Sequence, residues 1–278
     1  MNEYASDYST EELMAVVISR KVRNDDIALT GMATGDRTGT LAVCIPLAAM
    51  ALAKATHSPD ATVLYGGYIV NPDVENCPTV FETGRGVAHW KAEARLTDWY
   101  FFSIAQRGEI TLGFSSVAQV DKFGNVNIVA IGNYEKPKVR LVGNIFETEH
   151  YTLHRREILV MDHDRRRFVD RVDYITGPGY LDGPGARERA GLEWGGPCLC
   201  VSDLAVMDYD EQTKRMRLVS VHPGVIVDKV KANTGFELII PDKVPETEPP
   251  TAEEIRLLRN RIDRHRRLLA PKAHNVAR

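Results

Sequence analysis

Apolar positions along the chain recur with two different periods, and their succession predicts an ordered series of helices and strands. Ser9-Thr10-Glu11-Glu12 has the spacing of a capping box, and Leu13, Met14, Val17 and Ile18 then follow at helical intervals. Asn24-Asp25-Asp26 ends that helix, and residues 27–30 read as a short buried strand. Gly31 to Gly35 form a strand-to-helix loop, and Pro46 suits the first turn of a second helix reaching Thr56. Three readings stay open for residues 35–45: a lid, a partner contact or an extension of that helix. Residues 62–65 form the next strand, which ends in Gly66-Gly67. A loop of twelve residues (68–79) then leads to Val80, longer than an ordinary connection and of the kind that often carries function.

Further strands are expected at 110–114, 126–131, 139–142, 158–161 and 199–205. Residues 206–209 and 216–221 flank a charged turn as a hairpin. A short helix over 227–233 precedes a strand at 237–240. A proline- and acid-rich stretch over 241–250 follows, and Thr251 caps a last helix with Ile255, Leu258 and Ile262 on one side. Mostly apolar strands alternating with helices predict the α/β class, as a three-layer α/β/α sandwich. Residues 1–240 are expected to form the main domain, with 241–278 as a linker and helix packed on the domain or on a partner.

Composition narrows the function classes. Hydrophobic residues make up 44% and charged residues 26% of the 278, as in an ordinary globular protein. The net charge of -3 provides no general field for nucleic acid or an anionic membrane. The basic runs at 165–167 and 264–267 read as solvated faces. No uninterrupted apolar run reaches the ~18 residues of a membrane span, and residues 1–11 are polar and acidic, unlike a signal peptide. A cytoplasmic location is therefore expected. Cys44, Cys77, Cys198 and Cys200 show no disulfide framework and no metal-ligand spacing, so no metal site is predicted.

Three stretches carry a resemblance. One begins Val201-Ser202-Asp203-Leu204-Ala205-Val206-Met207-Asp208-Tyr209 and continues through His222-Pro223-Gly224 and Asn233-Thr234-Gly235-Phe236-Glu237-Leu238. Another is Ala118-Gln119-Val120-Asp121-Lys122-Phe123-Gly124-Asn125-Val126-Asn127. The third is Arg166-Arg167-Phe168-Val169-Asp170-Arg171-Val172-Asp173-Tyr174-Ile175. Together they resemble the β subunit of family I, glutaconate-type CoA-transferases, over nearly the whole chain. The resemblance implies a NagB/RpiA/CoA-transferase-like fold and a separate α-type subunit, commonly in an α2β2 assembly. It also implies an acyl-CoA substrate bound between the two subunits, with no cofactor beyond coenzyme A.

Two departures from the family pattern fall where its active site is expected. Family transferases carry a nucleophilic glutamate after the strand that follows a Thr-His-x-Pro turn, here Thr56-His57-Ser58-Pro59; an ungapped count puts Gly66 at that position. Glycine has no side chain with which to form an acyl anhydride. The family's Gly-Ser-Gly-Gly-like turn is replaced by Gly143-Asn144-Ile145-Phe146-Glu147, which adds apolar bulk. A branch that opens the last steroid rings by hydrolysis shows the same kind of loss, and there the α subunit supplies the catalytic glutamate.

The candidate catalytic residues are Gln119, whose amide could hold a substrate carbonyl, the carboxylates Glu147 and Glu82, and His222. Each also has an ordinary structural reading, as a satisfied amide, a solvated carboxylate or a hydrogen-bonded turn histidine. Gly31, Gly35, Gly66, Gly67, Gly143 and Asn144 are candidates to approach the substrate or CoA. Three functions remain open: a CoA-ester or carbon–carbon hydrolase, such as one opening a cyclic β-keto acyl-CoA; a CoA-transferase using a displaced or α-subunit carboxylate; and a non-catalytic scaffold subunit.

Overall fold

The computed structural model of the chain describes residues 3–31, 36–79, 87–192 and 194–269, so the expectations for Gly35 and Glu82 lie outside the described residues. Residues 1–103 with 248–278 form one compact unit, and residues 104–247 form another.

In the first unit, α1 (Thr10–Ser19) starts at the expected capping box: the Glu12 amide donates to Ser9 Oγ at 3.1 Å, and the Ser9 amide donates to Glu12 Oε2 at 2.8 Å. Strand β1 (Ile27–Thr30) pairs in parallel with β2 (Thr62–Tyr65). A parallel pair needs a crossover, and α2 (Asp36–Gly39), a π-helical turn (Thr40–Cys44) and α3 (Ile45–Thr56) provide it. The extended-helix reading therefore holds from Asp36 onward, and Pro46 sits in the first turn of α3. Arg37–Thr56 is long and apolar enough by length and composition to cross a membrane, although polar and charged residues interrupt it, in keeping with the expectation of no uninterrupted apolar span. In the fold, 72% of its most apolar window is buried within the protein, as for a core helix.

The loop expected after Gly67 is a correction. Residues 69–72 form β3 (Ile69–Pro72), antiparallel to β2 and to β4 (Ala92–Arg95), so the glycine pair closes a tight hairpin. The strand order in this unit is β1-β2-β3-β4. Helix α4 (Asp98–Gln106) follows, and the chain passes from the first unit to the second within it.

The second unit contains β5 (Leu112–Ser115), β10 (Glu157–Met161), β11 (Pro197–Ser202), β12 (Ala205–Tyr209) and β13 (Met216–Val221), ordered β5-β10-β11-β12-β13. The first three run parallel, and the last two turn back as the predicted hairpin. Between β5 and β10 lie two small antiparallel ladders: β6 (Gln119–Val120) with β7 (Val126–Asn127), and β8 (Ala130–Ile131) with β9 (Val139–Arg140). The strand expected over 126–131 is broken because Asn127 Oδ1 accepts the amides of Val129 and Ala130, folding the backbone back on itself. The strand expected at 237–240 is reduced to one bridge, Arg217 to Ile239. Helix α5 (Glu147–Leu153) leads into β10; α6 (Ala186–Arg189) and α7 (Val227–Ala232) come later. The core of this unit packs Phe168, Met207, Met216 and Leu218 around the strands. Back in the first unit, α8 (Ala252–Leu257) begins at a second capping box, Thr251 with Glu254, and packs on α3.

Candidate active site

Glu147 follows a turn that keeps a glycine-type backbone with a single glycine, Gly143. Gly143, Ile145 and Phe146 have φ of 95°, 39° and 70°, so two bulky residues occupy the left-handed region. Such a conformation costs of order 1–3 kcal/mol per residue and persists only where its surroundings impose it. Part of that imposition comes from Asn144, whose Oδ1 accepts the Thr148 amide at 2.9 Å and whose carbonyl accepts the Glu147 amide at 2.8 Å. The turn leaves Ile145 66% exposed and directs Glu147, only 8% exposed, inward.

Glu147 enters a buried polar cluster. Glu157, the first residue of β10, is fully buried and accepts three donors: Ser115 Oγ at 2.5 Å, His150 Nδ1 at 3.0 Å and His154 Nδ1 at 3.3 Å. His150 and His154 are four residues apart at the end of α5, their ring centroids 4.4 Å from each other. Gly113 makes room: a Cβ there would lie 1.9 Å from Glu157 Oε2 and 2.4 Å from His154 Nδ1. Glu147 Oε1 and His154 Nε2 are sealed from solvent without a hydrogen-bond partner.

Burial and charge divide the titrations of this cluster. Burial pushes the Glu147 carboxyl up to about 7, partly offset by His150, while the neighbouring Glu157 charge pushes it further. Burial works against the charge on Glu157, but His150 and the hydrogen bonds from both imidazoles outweigh it and hold the carboxyl below its ordinary range. His150 moves up for the converse reason: its burial is overcome by Glu157. His154 drops to about 4 through burial and the adjacent His150. Two carboxyls with oppositely displaced pKa values around one imidazole form the arrangement from which acid–base catalysis is built. The two imidazoles and Glu157 also lie close enough to suggest a metal triad, their candidate ligand atoms within 4.8 Å of one another. Here the carboxylate is filled by three hydrogen-bond donors, and a metal would have to displace two of those protons. The cluster reads as hydrogen-bonded.

The other candidates are placed differently. Gln119 Oε1 accepts from Asn127 Nδ2 at 2.7 Å and from the Asp173 amide, while its Nε2 donates to Asp173 Oδ2. Both ends of its amide are engaged. His222 Nε2 donates to the Ser202 carbonyl at 2.7 Å and Nδ1 accepts from Thr247 Oγ1 at 3.0 Å, which fixes a neutral tautomer; burial lowers its pKa. In the first unit, Gly66 (φ 56°) donates its amide to the Thr30 carbonyl, and a Cβ at Gly67 would lie 2.9 Å from the Phe101 ring. Gly31 has open space where a Cβ would stand. A cleft of about 410 Å³ in that unit is lined by Lys54, Glu75, Glu93 and Arg261 and by no predicted site residue. Sequence reasoning singled out Glu147 but missed His150, His154, Glu157 and Ser115. The available signal was His150-x-x-x-His154-x-x-Glu157, a helical histidine pair running into a strand carboxylate.

Comparison with known proteins agrees with this fold. The family model described as Coenzyme A transferase matches residues 12–233. A glutaconate CoA-transferase subunit of Acidaminococcus fermentans is 32% identical over 93% of this chain and 94% of its own length. The cholesterol ring-cleaving hydrolase IpdB subunit of Mycobacterium tuberculosis is 30% identical over 76% of this chain and 81% of its own. The crystal structure of the Acidaminococcus glutaconate coenzyme A-transferase superposes with a TM-score of 0.80 at 29% identity, covering 96% of this chain and 99% of that one. An α/β chain with this order of elements, matched along most of its length by the family model, belongs to the coenzyme A transferase family.

Proposed function

We propose that this chain is the β-type subunit of a cytoplasmic, heteromeric enzyme that hydrolyses a cyclic β-keto acyl-CoA at a carbon–carbon bond. The reading is carried by Gly66, which an ungapped count puts where family transferases place their nucleophilic glutamate and which has no side chain to offer. Water attacks the ring ketone, the carbon–carbon bond to the α-carbon breaks, and the departing electron pair is stabilised by the neighbouring thioester. The thioester itself survives. Support comes from the relative named as a cholesterol ring-cleaving hydrolase subunit and from the bulky turn at 143–147. An α-type subunit in an α2β2 assembly completes the enzyme, Gly143 and Asn144 border the acyl-CoA, and coenzyme A enters only as part of the substrate.

A second reading, acyl-CoA:carboxylate CoA-transfer, is favoured by the longer match to a glutaconate CoA-transferase subunit. One experiment separates the two. The co-expressed α/β complex is given a cyclic β-keto acyl-CoA in heavy-oxygen water without any acceptor carboxylate, and the products are weighed by mass spectrometry. A ring-opened CoA ester, heavier by one water and labelled in its new carboxylate, supports hydrolysis. Turnover that requires an added acetate or succinate, with CoA moved onto it, supports transfer. Full activity of a complex in which Gly66 and Glu147 are both substituted would point to a scaffold role for this subunit.

A further inference from the structure

We propose that an exposed apolar face on the second unit, carried by residues 134–145 and 174–175, is where the α-type subunit docks. The inference rests on the heteromeric reading and names the surface that this chain brings to the assembly.

Six large hydrophobic side chains stand 38–66% exposed within three neighbouring segments: Tyr134, Val139, Val142, Ile145, Tyr174 and Ile175. Tyr134 stacks on Tyr174 with ring centroids 5.1 Å apart, and the Arg140 guanidinium lies 5.1 Å from the centre of the Tyr134 ring. The Gly132 amide donates to Asp173 Oδ2 and the Ile128 amide to Thr176 Oγ1, which holds the β8–β9 ladder beside residues 173–176. Thr148 Oγ1 donates to the Thr176 carbonyl at 2.7 Å and ties the turn at 143–147 to the same segment. Gln119 grips Asp173 through two hydrogen bonds, so these side chains sit on braced backbone. Together they expose on the order of 500 Å² of apolar surface. Single exposed hydrophobic residues are ordinary, whereas a joined patch of this size with a charged rim marks the footprint of a partner.

Ile145 adds an independent observation. It is β-branched, holds φ at 39° where glycine would sit without cost, and is 66% exposed. Inside this chain it brings strain with little burial in return. A surface from outside the chain that covers it supplies that return.

Charge selects the partner. Residues 134–142 carry three exposed cations, Lys136, Lys138 and Arg140, against one exposed carboxylate, Glu135. In a two-fold contact between copies centred on this face, the patch meets itself and the cations oppose one another. A different chain, apolar at the centre and acidic at the rim, meets no such repulsion. Relatives of this chain are themselves named as subunits, and the face adjoins Gly143 and Asn144, which the heteromeric reading sets against the acyl-CoA.

The test follows dissociation of the co-expressed α/β complex on dilution, by mass photometry at low and high salt. Ile145→Gly should weaken the complex ~10-fold or more, the effect of one buried aliphatic side chain, while the melting temperature of the full chain holds or rises. Those opposite signs separate docking from folding. Tyr134→Ala combined with Tyr174→Ala should weaken the complex by ~30-fold or more. Lys136→Glu with Lys138→Glu should weaken it at low salt and flatten its salt dependence. Dissociation unchanged to within about twofold in both Ile145→Gly and the tyrosine pair would overturn the assignment. So would a raised KM for acyl-CoA with assembly intact, which would make the face a ligand surface. Self-association of the chain alone, abolished by the same substitutions, would overturn it in favour of a second copy. If the wild-type chain forms no complex with an α-type subunit, the heteromeric reading fails and this assignment with it; if it forms one that the face variants leave unchanged, the assignment alone fails.

Discussion

Acid should destabilise this chain through His163, by an amount that its surroundings allow to be worked out. The imidazole is 5% exposed, exchanges hydrogen bonds with Ser202 Oγ at 2.9 Å and Thr234 Oγ1 at 3.0 Å, and lies flat on Phe168 with ring centroids 4.1 Å apart. Burial lowers its pKa from 6.5 to about 4, with nearby His222 acting in the same direction. The folded state therefore binds fewer protons than the unfolded state over this interval. Stability is fully present above pH 6.5, falls as the pH drops toward 4, and is level below that. Between about pH 7.5 and pH 5 the linkage amounts to about 2 kcal/mol. His163→Gln removes the titration, although it costs stability at every pH by losing the stacked ring. The measurement is urea unfolding of wild type and variant at both pH values. The stability gap between them should shrink by about 2 kcal/mol at the lower pH. A gap constant to within ~0.5 kcal/mol would show that His163 does not carry the acid sensitivity.

Three further outcomes are expected. Gly113→Ala would drive a Cβ into Glu157 and His154, neither of which has room to yield, and should cost about 3 kcal/mol or more in denaturant unfolding. Ser115→Ala removes one of the three donors on Glu157 and should cost about 1.5–3 kcal/mol in the same assay, the range for a hydrogen bond to a charged group. Ile145→Gly releases a left-handed β-branched residue whose side chain is mostly exposed, so the melting temperature should hold or rise, whereas Ile145→Val should give no gain.

Local grammar made much of the fold legible. Ser9 with Glu12 and Thr251 with Glu254 mark helix starts because each box is closed within four residues. The hairpin of β12 and β13 declares itself by two apolar runs around a charged turn. Strand β3 escaped notice because it is four residues long, follows a glycine pair and ends in a proline. Its pairing with β4 lies more than twenty residues away along the chain. Much of the site was hidden for a similar reason. Glu157 and His154 read as polar residues beside two arginines, and only the return of β10 alongside β5 seals them against Gly113. The same distance rule explains Gln119 and His222, whose partners Asp173 and Thr247 lie 54 and 25 residues further on. Desolvation is a property of what packs on a residue, and sequence spacing does not record it.

The discontinuity of the first unit has a bearing on how the protein is made. Its apolar helical run, Arg37–Thr56, leaves the ribosome early, yet α8 and the turn after it, which pack on α3, come from residues 252–262. Arg259 reaches back to Glu12 and Asp7, Arg20 to Glu254, and Tyr4 bridges to Thr251. None of these contacts can form until the whole intervening unit has been synthesised. For most of translation the nascent chain therefore carries an incompletely covered hydrophobic helix, a natural client surface for holdase chaperones. Ribosome-bound intermediates stalled before residue 248 should be more prone to aggregate than those stalled after residue 269.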